Sequence, residues 1–311
     1  MDTFNMPESA QDGLTWERIV SATKPVAVIH SLSGDAQVAE QAKAWVNWAA
    51  RRFPGSSALQ TLSRANFHEA LQIWSDQFAK AEGPEPEADR SLPVRRDFLP
   101  SSGFFRAHHQ LLCTEDSVRR RFEKIRAVFS PAAKILIVGD DDQLSPLLVS
   151  QGFTNVTVID IDERLIRGLA QVQGLRARVH DLTQDPQPEL IDDYELIVMD
   201  PPYSAEGIQM FWQGAWRLVR ANARPRFHLY CASVCLTRDG VRQAAQQIQD
   251  RGYRLSEFVP GLCRYPYSPL THAGFRAFFA AAAVAFGRPR FLTGPTLIPK
   301  AVSSDLWVLE G

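Results

Sequence analysis

Four stretches decide the fold: residues 134–142 (KILIVGDDD), 156–163 (VTVIDIDE), 177–182 (ARVHDL) and 196–206 (LIVMDPPYSAE). The first is a continuous apolar run of the kind found in a strand buried on both faces. Each stretch is a strand pattern that ends in an acidic residue. Further strands are expected at Phe227–Ala232, Tyr253–Phe258 and Leu306–Leu309. Helix patterns separate most of them, and strands alternating with helices imply an α/β, Rossmann-like, doubly wound and mostly parallel sheet.

Upstream, Thr114 reads as a helix N-cap, with Glu115 and Asp116 in the first turn where the helix dipole favours negative charge. Val118, Phe122, Ile125 and Phe129 line one face of that helix. The basic cluster Arg119, Arg120, Arg121, Lys124 and Arg126 reads as a solvated helix face, with slight support for a DNA-binding role. Residues 82–104 are proline-rich, charged and aperiodic, as in a linker. Residues 1–81 read as a small, mainly helical N-terminal domain. It holds a strand-like run at Val26–His30 and aromatic stripes through Trp45 and Phe53 and through Phe67 and Trp74. Residues 105–311 then form the main domain. Within it, 261–304 carry aromatics, prolines and an alanine-rich stretch, and read as an insertion that could roof a site.

The formal net charge of −1 argues against a broadly electrostatic nucleic-acid binder, and the longest apolar stretch, Ala277–Phe286, is too short to span a bilayer. The N-terminus is polar and does not read as a secretory leader. The four cysteines form no CxxC pair, which points to reduced thiols in the cytoplasm rather than a zinc site or a disulfide framework. No metal is expected.

In an open α/β sheet the ligand lies at the carboxyl ends of the strands. Gly139, Asp140, Asp141, Asp160 and Asp181 are therefore the expected donor-binding residues. Asp160 follows Gly139 by 21 residues, a spacing that suits a carboxylate on ribose hydroxyls. Asp181 is placed to meet an adenine amino group. Asp200-Pro201-Pro202-Tyr203 fixes the backbone sharply after a buried strand, so the carboxylate can hold an amine and the ring can cover a cation. Each aspartate also has a plain reading as a turn residue.

One glycine followed by three aspartates is unusual for a nucleotide loop. S-adenosylmethionine carries a tail carboxylate that three anions would repel. Decarboxylated S-adenosylmethionine ends in a bare ammonium that they would attract. Unit charges about 4 Å apart interact by roughly 4 kcal/mol at an effective dielectric near 20, so the loop separates the two donors by sign.

The segments HHQLLCTEDSVRRR to GDDD (residues 108–142), VTVIDIDERLI, HDL and DPPYSAEGI resemble the branched-chain polyamine synthases, the N4-bis(aminopropyl)spermidine synthases of archaea and thermophilic bacteria. The resemblance runs over about residues 105–220. It implies a methyltransferase-like catalytic domain, a winged-helix-like N-terminal domain, a homodimer, decarboxylated S-adenosylmethionine as donor and 5′-methylthioadenosine as by-product. By motif, the Gly139–Asp142 loop would bind donor and acceptor amines, and Asp200 would be the acid/base.

The expected activity is therefore aminopropyl transfer to a polyamine or related amine. Asp200 and Tyr203 would be catalytic, and Asp142, Asp200, Pro201, Tyr203 and Glu206 would hold the acceptor. Two rivals stand beside it. One is a nucleobase or amine N-methyltransferase using S-adenosylmethionine, with Tyr203 stacked on the base. The other is a non-catalytic, nucleoside-sensing regulator that binds DNA.

Overall fold

The computed structural model describes residues 85, 87–97, 112–232, 236, 238–266 and 301–311. The expected N-terminal domain, residues 1–81, lies outside these, as do residues 267–300. In chain order the elements are α1 (Glu115–Arg126), β1 (Lys134–Val138), α2 (Leu144–Ser150), β2 (Asn155–Asp160), α3 (Glu163–Leu169), β3 (Leu175–Val179), a short 3-10 turn (Pro188–Leu190), β4 (Leu196–Met199), α4 (Ala205–Arg217), β5 (Arg226–Cys231), α5 (Arg238–Gln249), β6 (Arg254–Pro266) and β7 (Ala301–Glu310).

The strands form one sheet in the order β3-β2-β1-β4-β5-β7-β6. β1 pairs in parallel with β2 on one side and β4 on the other, and β4 pairs in parallel with β5. β7 runs antiparallel between β5 and β6. The chain thus winds outward from β1 to β3, then returns to β4 and continues the other way. That reversal puts a switch point at the carboxyl ends of β1 and β4, where such sheets bind ligands.

The period of two along each strand divides the core. Ile135, Ile137, Val156, Val158, Leu196 and Val198 face α1, α2 and α3. Leu136, Val138, Ile159, Ile197 and Met199 face α4 and α5. The second layer holds a nest of rings: Trp212 lies 4.6 Å from Phe227 and meets Tyr253 edge-on at 5.4 Å. Such pairs contribute about 0.5 to 1.5 kcal/mol each beyond the area they bury.

Helix α1 begins where the sequence predicts, with Thr114 accepting from the Ser117 amide at 3.1 Å. The described residues upstream of it, 87–97, turn at Arg90 and Ser91 and are docked rather than loose. Leu92 is buried in the core, and its carbonyl accepts from Arg119 Nε at 2.9 Å.

The last two strands are longer than their sequence patterns. The ends of the expected insertion, 261–266 and 301–304, are strand. In β6 the pairing jumps from Val259–Leu306 to Cys263–Ser304, a bulge at Gly261 whose amide donates to Asp305 at 2.7 Å. Beyond it the strand runs back along α1: the Thr114 amide donates to the Arg264 carbonyl at 2.8 Å, and the Arg264 amide donates to Ser117 Oγ at 2.9 Å.

Candidate active site

The carboxyl end of β1 turns through Gly139, whose φ of +75° is the left-handed region that glycine tolerates best. A side chain there would start 3.8 Å from Asp160 Oδ2. It is thus the left-handed backbone, rather than lack of room beside Asp160, that favours glycine at 139. Backbone bonds tie the loop ends together: the Gly139 amide donates to the Ile159 carbonyl, and the His180 amide donates to the Asp160 carbonyl, both at 2.9 Å.

The three aspartates of the loop take three different directions. Asp140 is buried and turned onto α2, accepting from the Leu144 amide at 2.7 Å, the Ser145 amide at 3.0 Å and the Ser145 hydroxyl. Burial pushes its carboxyl up to about 7, against the pull of those donors. Asp142 is 2% exposed and also turned inward. One of its oxygens accepts from the Cys113 amide at 2.6 Å, and the other lies 3.1 Å from Arg121 Nη1, at ion-pair distance but off hydrogen-bond alignment. Asp141 alone of the three is partly exposed. Desolvation, followed by the charges of Asp142, Asp200 and Asp160, holds its carboxyl well above the usual range.

Asp200, one residue past β4, receives Arg121 Nη2 at 2.5 Å and the Tyr265 hydroxyl, both on Oδ2. Among the described residues, its Oδ1 has no hydrogen bond. Burial raises the Asp200 carboxyl, while Arg121 and Tyr265 oppose the shift. Pro201 is buried, and the Pro202 carbonyl accepts from the Ser204 amide at 2.7 Å. Ser204 then caps α4 through the Gly207 amide at 3.0 Å. Tyr203 meets the Tyr265 ring edge-on at 6.3 Å, so two phenols flank Asp200. Glu206 stands exposed in the first turn of α4, where the helix dipole favours an acid.

The structure therefore brings Asp141, Asp142, Asp160 and Asp200 together, with Tyr203 beside them. Asp181 differs: its carboxylate accepts from the Thr183 amide at 2.8 Å and the Thr183 hydroxyl at 2.7 Å, and these bonds hold its pKa below the usual value. It closes a turn at the end of β3. Among the described residues, no three acidic, His or Cys side chains converge as metal ligands would. None of the described helices is long and apolar enough to cross a membrane. A hollow of about 430 Å³, lined by residues such as Lys134, Arg176 and Tyr194, opens at the opposite, amino-terminal ends of the strands.

The basic cluster corrects the sequence reading in part: Lys124 and Arg126 are partly exposed, and the three consecutive arginines are not. Arg119, Arg120 and Arg121 are 9%, 5% and 4% exposed, so they do not form a solvated face. Arg119 ties α1 to the segment before it. Arg120 donates to the Leu262 carbonyl at 2.8 Å and to Glu85 at 2.8 Å. Arg121 enters the site itself. Its guanidinium lies 4.0 Å over the Tyr230 ring, and its Nε donates to Cys263 Sγ at 3.1 Å. Arg121, Tyr230, Cys263 and Tyr265 were not anticipated as site residues. Cys263 and Tyr265 alternate along β6 with the period of two that places them on one face. Ile161, beside Asp160, is a large apolar residue left 53% exposed at the ligand edge of the sheet.

Residues 110–230 match the family model described as the branched-chain polyamine synthase A C-terminal domain. An uncharacterized protein of Methanocaldococcus jannaschii is 36% identical over 143 residues, covering 44% of this chain and 36% of that protein. The branched-chain polyamine synthase of Thermus thermophilus, in complex with N4-aminopropylspermidine and 5′-methylthioadenosine, superimposes with a TM-score of 0.50 at 18% identity. That likeness shows the fold, and covers 77% of this chain and 63% of that one; a C9 mutein of the same enzyme gives the same values. The chain thus spans about a third of the curated relative's length and under two thirds of the solved enzyme's. Residues 110–230, which carry the Asp141 and Asp200 loops, thus resemble the C-terminal domain of the branched-chain polyamine synthases.

Proposed function

We propose that the protein is an aminopropyltransferase that moves an aminopropyl group from decarboxylated S-adenosylmethionine to a polyamine or related amine. The observation that carries this reading is the acidic set around Asp141, at the switch point of a methyltransferase-like sheet. Such a field attracts a donor whose tail is an ammonium and repels one whose tail is a carboxylate. The family match supports it, as does the solved relative, which holds an aminopropylated polyamine and 5′-methylthioadenosine.

On this reading the acceptor nitrogen attacks the aminopropyl carbon bonded to sulfur. The new C–N bond forms as the C–S bond breaks, and the electron pair leaves on sulfur as neutral 5′-methylthioadenosine. The leaving group needs no acid, so the protein chiefly supplies alignment and charge. An amine of ordinary pKa near 10.4 costs about 4 to 5 kcal/mol to deprotonate at pH 7. Asp200 Oδ1, with no partner among the described residues, is the atom assigned to take that proton. Asp141 is assigned to an ammonium group and Asp160 to the ribose hydroxyls. Exposed Ile161 is assigned to the adenine face, and Tyr203 shields the acceptor.

The test is a parallel incubation of the protein with each of the two donors and a mixture of putrescine, spermidine and spermine, read by mass spectrometry. Aminopropylated amine and 5′-methylthioadenosine from the decarboxylated donor alone are expected. Methylated product and S-adenosylhomocysteine from S-adenosylmethionine would overturn the reading.

A further inference from the structure

Every nitrogen of the Arg121 guanidinium is engaged, and each points to a different element. Nη1 faces Asp142 on the β1 loop at 3.1 Å, Nη2 faces Asp200 after β4 at 2.5 Å, and Nε donates to Cys263 on β6 at 3.1 Å. The Tyr265 hydroxyl accepts from Nη2 and donates to the same oxygen of Asp200. The cation sits 4.0 Å over the Tyr230 ring on β5.

We propose that Arg121 is the positioning residue of this site: its planar fork, together with Tyr265, anchors Asp200 by Oδ2 and keeps it ionised, so that Oδ1 is presented to the acceptor amine. This rests on the function proposed above for Asp200. Three features carry it. Both contacts of Asp200 fall on one oxygen, which fixes the other in direction. Arg121 is buried and held from four elements, so it cannot swing away as a surface arginine would. Asp142, its other acid, is itself pinned by the Cys113 amide at 2.6 Å, which fixes the fork from behind.

The charge balance gives Arg121 its second effect. Asp200 is faced by Asp141 and Asp142 from the β1 loop, by Cys263 and Tyr265 from β6, by Tyr230 from β5 and by Tyr203 from its own turn. Of these the two aspartates are the acids, and negative charge on either opposes ionisation of Asp200. Arg121 is the cation on the other side of that balance. A lysine could supply the charge but not the fork, because a point charge on a flexible stem cannot hold two carboxylates and a thiol in fixed directions.

The experiment titrates Asp200 without substrate. Protein labelled with 13C-carboxyl aspartate is followed by infrared difference spectroscopy, and the Asp200 band is assigned by its loss in Asp200→Asn. In Arg121→Gln the protonation midpoint of Asp200 is expected to rise by about one to three pH units. In Tyr265→Phe it rises less, because a hydrogen bond is lost but no charge. In Arg121→Lys the midpoint stays near that of the parent protein while turnover falls at least tenfold. Where Arg121→Gln does not fold, the Tyr265→Phe shift and the Arg121→Lys turnover decide. An unmoved midpoint in every folded Gln and Phe variant, or full turnover in Arg121→Lys, would overturn the proposal. Failure of the parent protein to make aminopropylated product would instead sink the functional reading, and the titration would record that separately.

Discussion

Asp140 accepts from both the amide and the hydroxyl of Ser145, so the first aspartate of the acidic loop belongs to helix α2 rather than to the cleft. A ligand-facing acid would leave its oxygens for the ligand, and Asp140 has spent both on the helix start. Asp140→Ala leaves the Leu144 and Ser145 amides without an acceptor in a buried place. Loss of such a cap costs about 0.5 to 2 kcal/mol. Urea unfolding should show a loss of that order or somewhat more, and Asp140→Asn should lose less because it keeps an acceptor oxygen. Unchanged stability in Asp140→Ala, with weakened ligand binding, would return Asp140 to the cleft.

Gly207 is required by Pro202. A Cβ on Gly207 would lie 2.3 Å from the Pro202 carbonyl oxygen and 2.9 Å from the Pro202 Cβ, and neither belongs to a flexible side-chain tip. Gly207→Ala must therefore push the start of α4 away from the Pro-Pro turn that carries Asp200 and Tyr203. Overpacking of this kind costs about 1 to 3 kcal/mol. We expect a lower Tm and a turnover loss larger than that of a substitution at exposed Glu206. Equal Tm and turnover in Gly207→Ala would show that the turn can yield.

His228 sits buried on β5, its ring 6.4 Å from Phe129, with no hydrogen bond to Nδ1 among the described residues. Burial, then the charges of Arg226 and Lys124, push its pKa down from 6.5 to about 3. The unfolded chain therefore binds a proton between about pH 6.5 and 3 that the folded chain does not. Stability from this residue is full above pH 6.5 and falls as the pH drops through that window, by up to about 1.4 kcal/mol per unit. Asp140 acts with the opposite sign between its ordinary value and about 7, so only a difference between variants isolates the histidine. His228→Phe should flatten the acid limb of a stability-against-pH curve measured by chemical denaturation. An identical limb in both proteins would mean that His228 takes up its proton without unfolding.

The strand ends were legible because a buried parallel strand leaves few choices: apolar along its length, then a turn residue at the ligand edge. Thr114 was legible for the same local reason, since a cap is written in the residues beside it. The rest of the site depends on contacts that are distant in sequence. Arg121 reads as a surface residue because it lies in a run of three arginines, and only its partners on the β1 loop, β4 and β6 bury it. Tyr265 was hidden by the bulge at Gly261, which breaks the alternation of β6 before the strand resumes. Ser303, Ser304 and Asp305 look like loop but are buried in β7, between two neighbouring strands, with Asp305 accepting from the Gly261 amide. Nor could spacing tell which of three consecutive aspartates faces the cleft, since that is set by what Asp140 and Asp142 find behind them.

That division gives the sharpest test of donor recognition. Asp141 is the partly exposed acid of the loop, whereas Asp142 holds Arg121 and the Cys113 amide. Asp141→Asn removes an ionisable carboxyl from the cleft and leaves the Asp142 contacts with Arg121 and the Cys113 amide in place. If it holds the donor's ammonium, affinity for decarboxylated S-adenosylmethionine should fall about tenfold or more, or roughly 1.4 kcal/mol, while affinity for neutral 5′-methylthioadenosine barely changes. S-adenosylmethionine, with its tail carboxylate, should bind the variant no worse and even somewhat better. Asp142→Asn should instead lower stability, because it removes one of the two carboxylates paired with the buried Arg121 guanidinium. Calorimetric titration of the three ligands into each variant checks both halves. Equal losses for the neutral and the cationic ligand in Asp141→Asn would mean that the loop shapes the pocket without reading charge.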